Sequence, residues 1–332
     1  MQKVKIKNSS SRSMALGLFM MPVLALPIFN RNGVMMLSMH YVIMIAVYIA
    51  MAQSWNILSG LTGMFSLGHS TFYAIGGYAL ASGIYLFKLS PAVGVLIGII
   101  LSAVFGFVLG IISSRLTGFF FTMSTIALSQ VARTFALQMP DITNGVNGIS
   151  IMRPPIPCTV FFYTAIGLAM ISTGFFVWMR RSRMGSLFVS IRENTQLARS
   201  LGVNIVKYKT IASVIASVMA SVTGSFIAYY IQVVDPSYLN SSIANKIVMV
   251  TIIGGVGNAW GPVFGSVLIL LEEVIRGTMG SNYAPLATAL YGVILIFFIL
   301  FKSDGIVSMN LKSSISLALK ALKPFENTRK GD

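Results

Sequence analysis

Residues 91–113 read PAVGVLIGIILSAVFGFVLGIIS, a run of 23 residues with no charged side chain. At 1.5 Å of rise per residue a helix of that length reaches about 34 Å, enough for a hydrocarbon core of roughly 30 Å. Working outward from this run, further apolar segments lie at about 14–30, 34–58, 64–87, 116–139, 158–179, 209–231, 243–255, 262–276 and 285–301. The expected fold is all-α: a polytopic transmembrane helical bundle of about ten spans. Composition points the same way. Of 332 residues, 55% are hydrophobic and 10% charged, and the mean hydropathy is +0.82, whereas a soluble chain carries roughly 25% charged residues.

The net charge is +16. On a soluble domain that balance would suggest nucleic acid, but here the cations lie between apolar segments, where they set orientation instead. Placing Lys3, Lys5, Lys7 and Arg12 in the cytoplasm also puts three other regions there, if there are ten spans. They are Arg115, the stretch 180–209 and the carboxy-terminal tail. The four regions hold four, one, seven and six cations, 18 of the 24. Nine spans would send the basic tail outward, so both termini are expected to be cytoplasmic. The expected organisation is a tail at 1–13, a membrane domain at 14–301 with a cytoplasmic loop at 180–209, and a tail at 302–332. Met14 to Phe29 reads as a retained span, because Pro27, Ile28, Phe29, Asn30 and Arg31 follow it instead of the small residues of a cleavage site.

Glycines interrupt the apolar pattern early (Gly60, Gly63, Gly68) and late (Gly254, Gly255, Gly257, Gly261). Interrupted segments in both halves suit inverted repeats around a transport path; glycine also serves close helix packing. Both readings stand; 243–276 reads as two short spans or one broken span, and the charge count, which favours ten spans, prefers two.

Few chemistries fit the rest. Cys158 is the single cysteine, and His40 and His69 lie in separate apolar segments, so no metal site is expected. No nucleophile–base pair is evident. The acids are Asp141, Glu193, Asp235, Glu272, Glu273, Asp304, Glu326 and Asp332, none firmly mid-span. That argues against a proton-coupled transporter and leaves a passive channel open. Polar side chains within spans mark candidates for a translocation path: Gln53, Asn56, His69, Ser70, Thr122, Ser124 and Gln130. For the hydroxyls, bonding to their own helix is the competing reading. Arg133 is expected to snorkel outward, and Glu272 and Glu273 to be solvated.

The stretch 185–209, GSLFVSIRENTQLARSLGVNIVKYK, is too polar to span and too long for a turn. As a helix it puts Leu187, Ile191, Ala198 and Leu201 on one face, with Arg192, Glu193, Gln196 and Arg199 polar, and Gly202 at a C-cap. Its apolar face suits lipid headgroups or a partner's groove.

Several motifs resemble those of the LivM-type branched-chain amino acid permeases of ABC importers. Ile191, Arg192, Glu193, Ala198, Gly202, Tyr208 and Lys209 look like that family's coupling loop. Asn56, Leu58, Gly60, Gly63, Ser66-Leu67-Gly68-His69, Phe72, Gly76 and Tyr78 look like its signature around the second and third spans. Thr143 to Gly148 resembles its outer loop, with Asn144 where many members have glycine. Gly254-Gly255-Val256-Gly257, Trp260-Gly261-Pro262 and Gly265 resemble its late glycine hinge. The resemblance covers roughly residues 50–300.

It implies a transport subunit, not an enzyme, in the bacterial inner membrane. Its expected partners are cytoplasmic ATPases, a second related permease, an extracytoplasmic solute-binding protein and the lipid bilayer. The chain has no G-x-x-x-x-G-K-[ST] loop, so no cofactor is expected on it, and ATP would be used by the partner subunits. Leu187, Ile191, Arg192, Glu193, Ala198, Arg199, Leu201 and Gly202 would couple ATPase closure to the spans, and Gly254, Gly255, Gly257 and Gly261 would form a hinge. Related permeases carry urea, short amides or other amino acids.

Overall fold

The computed structural model describes residues 34–116, 118–267 and 292–293. The expected spans at 14–30 and 285–301, most of 262–276, Glu272, Glu273 and both tails lie outside them. The described helices are α1 (Val34–Trp55), α2 (His69–Tyr85), α3 (Pro91–Arg115), α4 (Phe119–Gln138), α5 (Cys158–Arg181), α6 (Arg183–Glu193), α7 (Thr195–Ser200), α8 (Ile205–Ile231) and α9 (Ser241–Gly254). A buried π-helical segment, Asn56–Leu61, continues α1.

Four stretches among the described residues are long and apolar enough to cross a membrane: Met39–Leu61, Pro91–Ser113, Cys158–Arg181 and Ile205–Ile231. The other expected spans are altered. The helix in 64–87 starts only at His69, because Gly63 turns the chain at φ +74° and residues 63–68 stay irregular. The 116–139 segment forms α4, but Thr122, Thr125, Ser129, Gln130 and Arg133 keep it below the apolar level of the other four. The loop expected at 180–209 ends earlier, because the Asn204 side chain accepts a bond from Lys207 N at 3.1 Å and starts α8 at Ile205.

Small residues hold the bundle together. The buried face of α8 runs Ala212, Ser213, Ala216, Ser217, Ala220, Ser221, Gly224, Ser225 and Ala228, and this face packs on α2 and α3. Apolar burial gives little drive between helices in lipid, so close backbone approach and interhelical hydrogen bonds take over. Ser102 Oγ donates to Ser217 O at 2.6 Å and Ser225 Oγ to Gly76 O at 2.9 Å. A methyl on Gly76 would sit 2.0 Å from Ser221 O. The outer surface of α3 leaves Leu96, Ile100, Val104, Phe107 and Val108 exposed, as a lipid-facing helix should.

The two ends of the bundle are distinct. At one end Ile149–Ser150 (β1) pairs antiparallel with Val233–Val234 (β2), joining the connection after α4 to the one after α8. At the other end lie α6 and α7. For the described part of the 243–276 segment, up to residue 267, backbone contacts show the course of the chain. A Cβ on Gly254 would lie 1.8 Å from Gly261 O, and one on Gly265 would lie 1.9 Å from Val250 O. Positions 254 and 261, then 250 and 265, oppose each other, so the chain reverses at 255–260. The segment is a tight helical hairpin and not one span running on through a break. With 14 residues, α9 rises about 21 Å, short of the roughly 30 Å of hydrocarbon.

Gly76→Ala is expected to destabilise the purified protein by about 1–3 kcal/mol through overpacking against α8. Gly174→Ala, with nothing within 4 Å of the new methyl, should leave the thermal midpoint unchanged. Thermal unfolding of both variants in the same detergent checks the contrast.

Candidate functional site

Three interruptions of helical structure meet in space: the π-helical segment 56–61, the hairpin tip 255–260 and the junction of α6 with α7. Each leaves backbone groups that a regular helix would have bonded. Asn56 bridges the first two. Its Oδ1 accepts from Gly257 N at 2.7 Å and its Nδ2 donates to Asn258 O at 3.0 Å. One turn earlier, Gln53 Nε2 donates to Ala259 O at 2.6 Å. The spacing that puts 53 and 56 on one helix face thus aims both carboxamides at one tip.

Arg192 brings in the third interruption. Its Nη1 donates to Gly60 O at 2.6 Å, while Nε and Nη2 donate to Glu193 Oε1 at 3.1 and 2.6 Å. Glycine is required around this guanidinium. A Cβ on Gly63 would lie 3.0 Å from Arg192 Cγ, and one on Gly257 would lie 3.0 Å from Nη1, both at positive φ. Arg192 and Glu193 were expected to serve docking; the structure places them on each other and on the chain's own span.

The polar stretch 185–209 is not one amphipathic helix. Asn194 sits in extended geometry (φ −155°, ψ 100°) and restarts the chain as α7, its Oδ1 accepting from Gln196 N and Leu197 N. That break shifts the helical phase, so Leu187, Ile191, Ala198 and Leu201 do not share a face. Ile191 and Ala198 are buried against Ile205, with Val203 and Tyr208 packed on them. Leu187 is half-buried, while Leu201 is 76% exposed and Leu197 58%. Phe188, which the sequence pattern did not single out, is the fully buried anchor of α6. Gly202 does end α7. At φ +82° it allows Gly202 N to reach Arg199 O and Val203 N to reach Ala198 O, a Schellman motif closed by the Val203–Ala198 contact. Arg199 stays exposed.

Gln53, Asn56, His69 and Ser70 are all fully buried. Ser54 Oγ donates to Met51 O at 2.7 Å, so its contact with His69 Nε2 at 2.7 Å is accepted from the imidazole N–H. His69 Nδ1 is then a bare acceptor. Together with Gln53 Oε1 and Ser70 Oγ it lacks a partner among the described residues. Thr122 and Gln130 belong elsewhere. Thr122 Oγ1 donates to Phe65 O at 2.8 Å, and exposed Gln130 reaches only Ser241 Oγ at 3.5 Å. Ser124 Oγ donates to Phe121 O of its own helix. The expected path set therefore divides, with Gln53, Asn56, His69 and Ser70 in the interior and Thr122 and Gln130 outside it. Thr125 and Ser129 are the buried hydroxyls of α4 that the sequence reading passed over. Thr125 Oγ1 accepts from Leu67 N at 3.1 Å, and Trp55 Nε1 donates to Ser66 O at 2.7 Å, so the irregular 63–68 stretch is also tied down by side chains. Gly254, Gly255, Gly257 and Gly261, expected as a hinge, all lie at or beside the hairpin tip.

Asn56→Leu should leave the buried Gly257 N–H without an acceptor, at a cost of about 1–3 kcal/mol. Hydrogen exchange of the 255–260 amides is expected to speed up selectively, with α8 amides unchanged.

The sequence family described as "branched-chain amino acid transport system / permease component" matches residues 37–299. Two curated relatives are high-affinity branched-chain amino acid transport system permease proteins LivM. The one from Salmonella typhimurium (strain LT2) is 24% identical over 329 residues, covering 88% of this chain and 75% of the relative. The one from Escherichia coli (strain K12) is 23% identical over 295 residues, covering 79% and 68%.

Proposed function

Because the chain belongs to the branched-chain amino acid transport permease family, an integral membrane family of transport subunits, we propose that it is the permease subunit of an ABC importer in the bacterial inner membrane. It translocates branched-chain or related amino acids, driven by separate cytoplasmic ATPases that burn the ATP, and it binds no cofactor itself. It works with a second, related permease and an extracytoplasmic binding protein. Its topology is about ten spans with both termini in the cytoplasm.

One observation carries this reading: Arg192 of the cytoplasmic loop is bonded to Gly60 O of the π-helical segment, which Asn56 in turn bonds to the hairpin tip. A displacement of α6–α7 therefore has a mechanical route to both interrupted helices. The π-helical segment is the compliant end of that route, since such segments interrupt the regular helical ladder. The docking surface is α7, held rigid by the Asn194 cap and the Gly202 turn, with Leu197, Leu201 and Arg199 turned outward. Ile191 and Ala198 brace it from inside. For a partner to shift the equilibrium it must bind one arrangement of this loop better than the other; exposed apolar side chains supply contact area that only a docked partner covers. Opening of the tip away from α1 exposes the interior where Gln53 Oε1, His69 Nδ1 and Ser70 Oγ lack partners. Two bare acceptors and a hydroxyl suit a hydrated polar solute bearing N–H donors, which is compatible with an amino acid ammonium and also with an amide or urea.

A charge-assisted hydrogen bond is worth about 1.5–3 kcal/mol, so Arg192→Ala should lower ATP-driven uptake about tenfold or more. The system is proteoliposomes containing the permease pair, the ATPases and the binding protein. Hydrolysis continues and vanadate still blocks it. Glu193→Lys and Gly202→Leu are expected to uncouple in the same sense. Normal uptake in all three at equal expression removes the loop from the mechanism; uptake without any ATPase makes the chain a channel or secondary transporter. Leu201→Glu should instead weaken retention of the ATPase on the purified complex.

A further inference from the structure

A pocket of about 120 Å³ opens at the end of the bundle that carries α6 and α7, lined by Thr62, Gly63, Arg192, Thr195 and Lys209 and backed by Phe121. Lys209 is unusual there. It is 8% exposed, and its ammonium donates to Ser113 O at 3.3 Å, which leaves N–H donors over. The Arg192 guanidinium beside it is already paired with Glu193, and that is the ion pair found among the described residues. The chain thus buries a cation in the wall of a polar pocket whose lining holds no carboxylate among the described residues, the nearby Glu193 being engaged by Arg192. A buried, uncompensated charge costs several kcal/mol unless a counter-ion joins it.

We propose that this pocket binds a phosphate group, with Lys209 as its counter-charge and the outer edge of the Arg192 guanidinium as a second donor. The group is carried on an anionic phospholipid headgroup or arrives as free phosphate. The size suits a tetrahedral oxyanion and not a sugar or a nucleotide base. The surroundings favour the lipid source: beside the pocket's Gly118, Phe119 and Phe120 are 67% and 70% exposed, an apolar shelf on which acyl chains would lie. On the proposed topology this end faces the cytoplasmic leaflet, which supplies anionic lipid. Occupancy would hold Lys209, α3 through Ser113 and the Arg192 region together, making the resting geometry of the loop dependent on lipid charge. The site rests on the membrane placement proposed above, but not on ATP coupling.

The test uses the full chain in phospholipid-free detergent, titrated with phosphatidylglycerol and read by native mass spectrometry, with no nucleotide present. The wild type is expected to retain the first phosphatidylglycerol about tenfold more tightly than Lys209→Gln, the loss of one charge-assisted contact. Lys209→Arg should restore retention, which separates a bound anion from a folding defect. A parallel titration with inorganic phosphate identifies the source. Displacement of the lipid at millimolar phosphate assigns the site to the free ion, and no displacement assigns it to the headgroup; either result keeps the phosphate site. Equal retention by the wild type and Lys209→Gln, with both variants folded by thermal unfolding, overturns the proposal, and it does so whether or not the loop couples to an ATPase.

Discussion

A helix that breaks inside a bilayer leaves N–H and C=O groups that lipid cannot satisfy, and each such group costs several kcal/mol if left alone. This chain breaks its helices at 56–68 and at 255–260 and bonds the exposed backbone with side chains from elsewhere. Asn56 takes Gly257 N and Asn258 O, Gln53 takes Ala259 O, Trp55 takes Ser66 O, and Arg192 takes Gly60 O. The glycines follow from the same constraint. Side chains can reach those backbone atoms only where no Cβ stands in the way, as at Gly63 and Gly257. The centre of the molecule is therefore polar and immobilised by bonds that can be exchanged, while its periphery is apolar and packed.

The contrast has a functional sense. The α8 face against α2 and α3 is built of Ala, Ser and Gly at backbone contact, a packing that resists sliding because any shift collides with main chain. The interrupted segments are joined by a handful of hydrogen bonds, each worth a few kcal/mol at most. A conformational change can break and remake the second kind without touching the first. Arg192 joins the two regimes, since it rises from a helix anchored by fully buried Phe188 and ends on the carbonyl of Gly60.

Much of this was legible in the sequence. Uncharged runs such as 91–113 named the lipid-facing helices, because burial in hydrocarbon excludes charge regardless of tertiary context. The polar stretch 185–209 and both glycine-rich breaks were legible as such, and so were Gln53 and Asn56, whose i, i+3 spacing already put them on one face. What failed were inferences that assumed an unbroken helical phase. Asn194 resets the loop, so Leu201 turned out exposed while Ala198 was buried, and α2 starts five residues late because Gly63 turns the chain.

Hydropathy and charge by themselves determined that the chain is a helical membrane protein and that a polar connection lies between the apolar segments at 158–179 and 209–231, since both follow from transfer energies summed over short segments. Only the tertiary structure decided that the chain doubles back between α9 and Gly265 and that Arg192 reaches across 132 residues of sequence to Gly60. Such contacts depend on where three separate chain breaks meet in space, and no local pattern of residue types encodes that meeting.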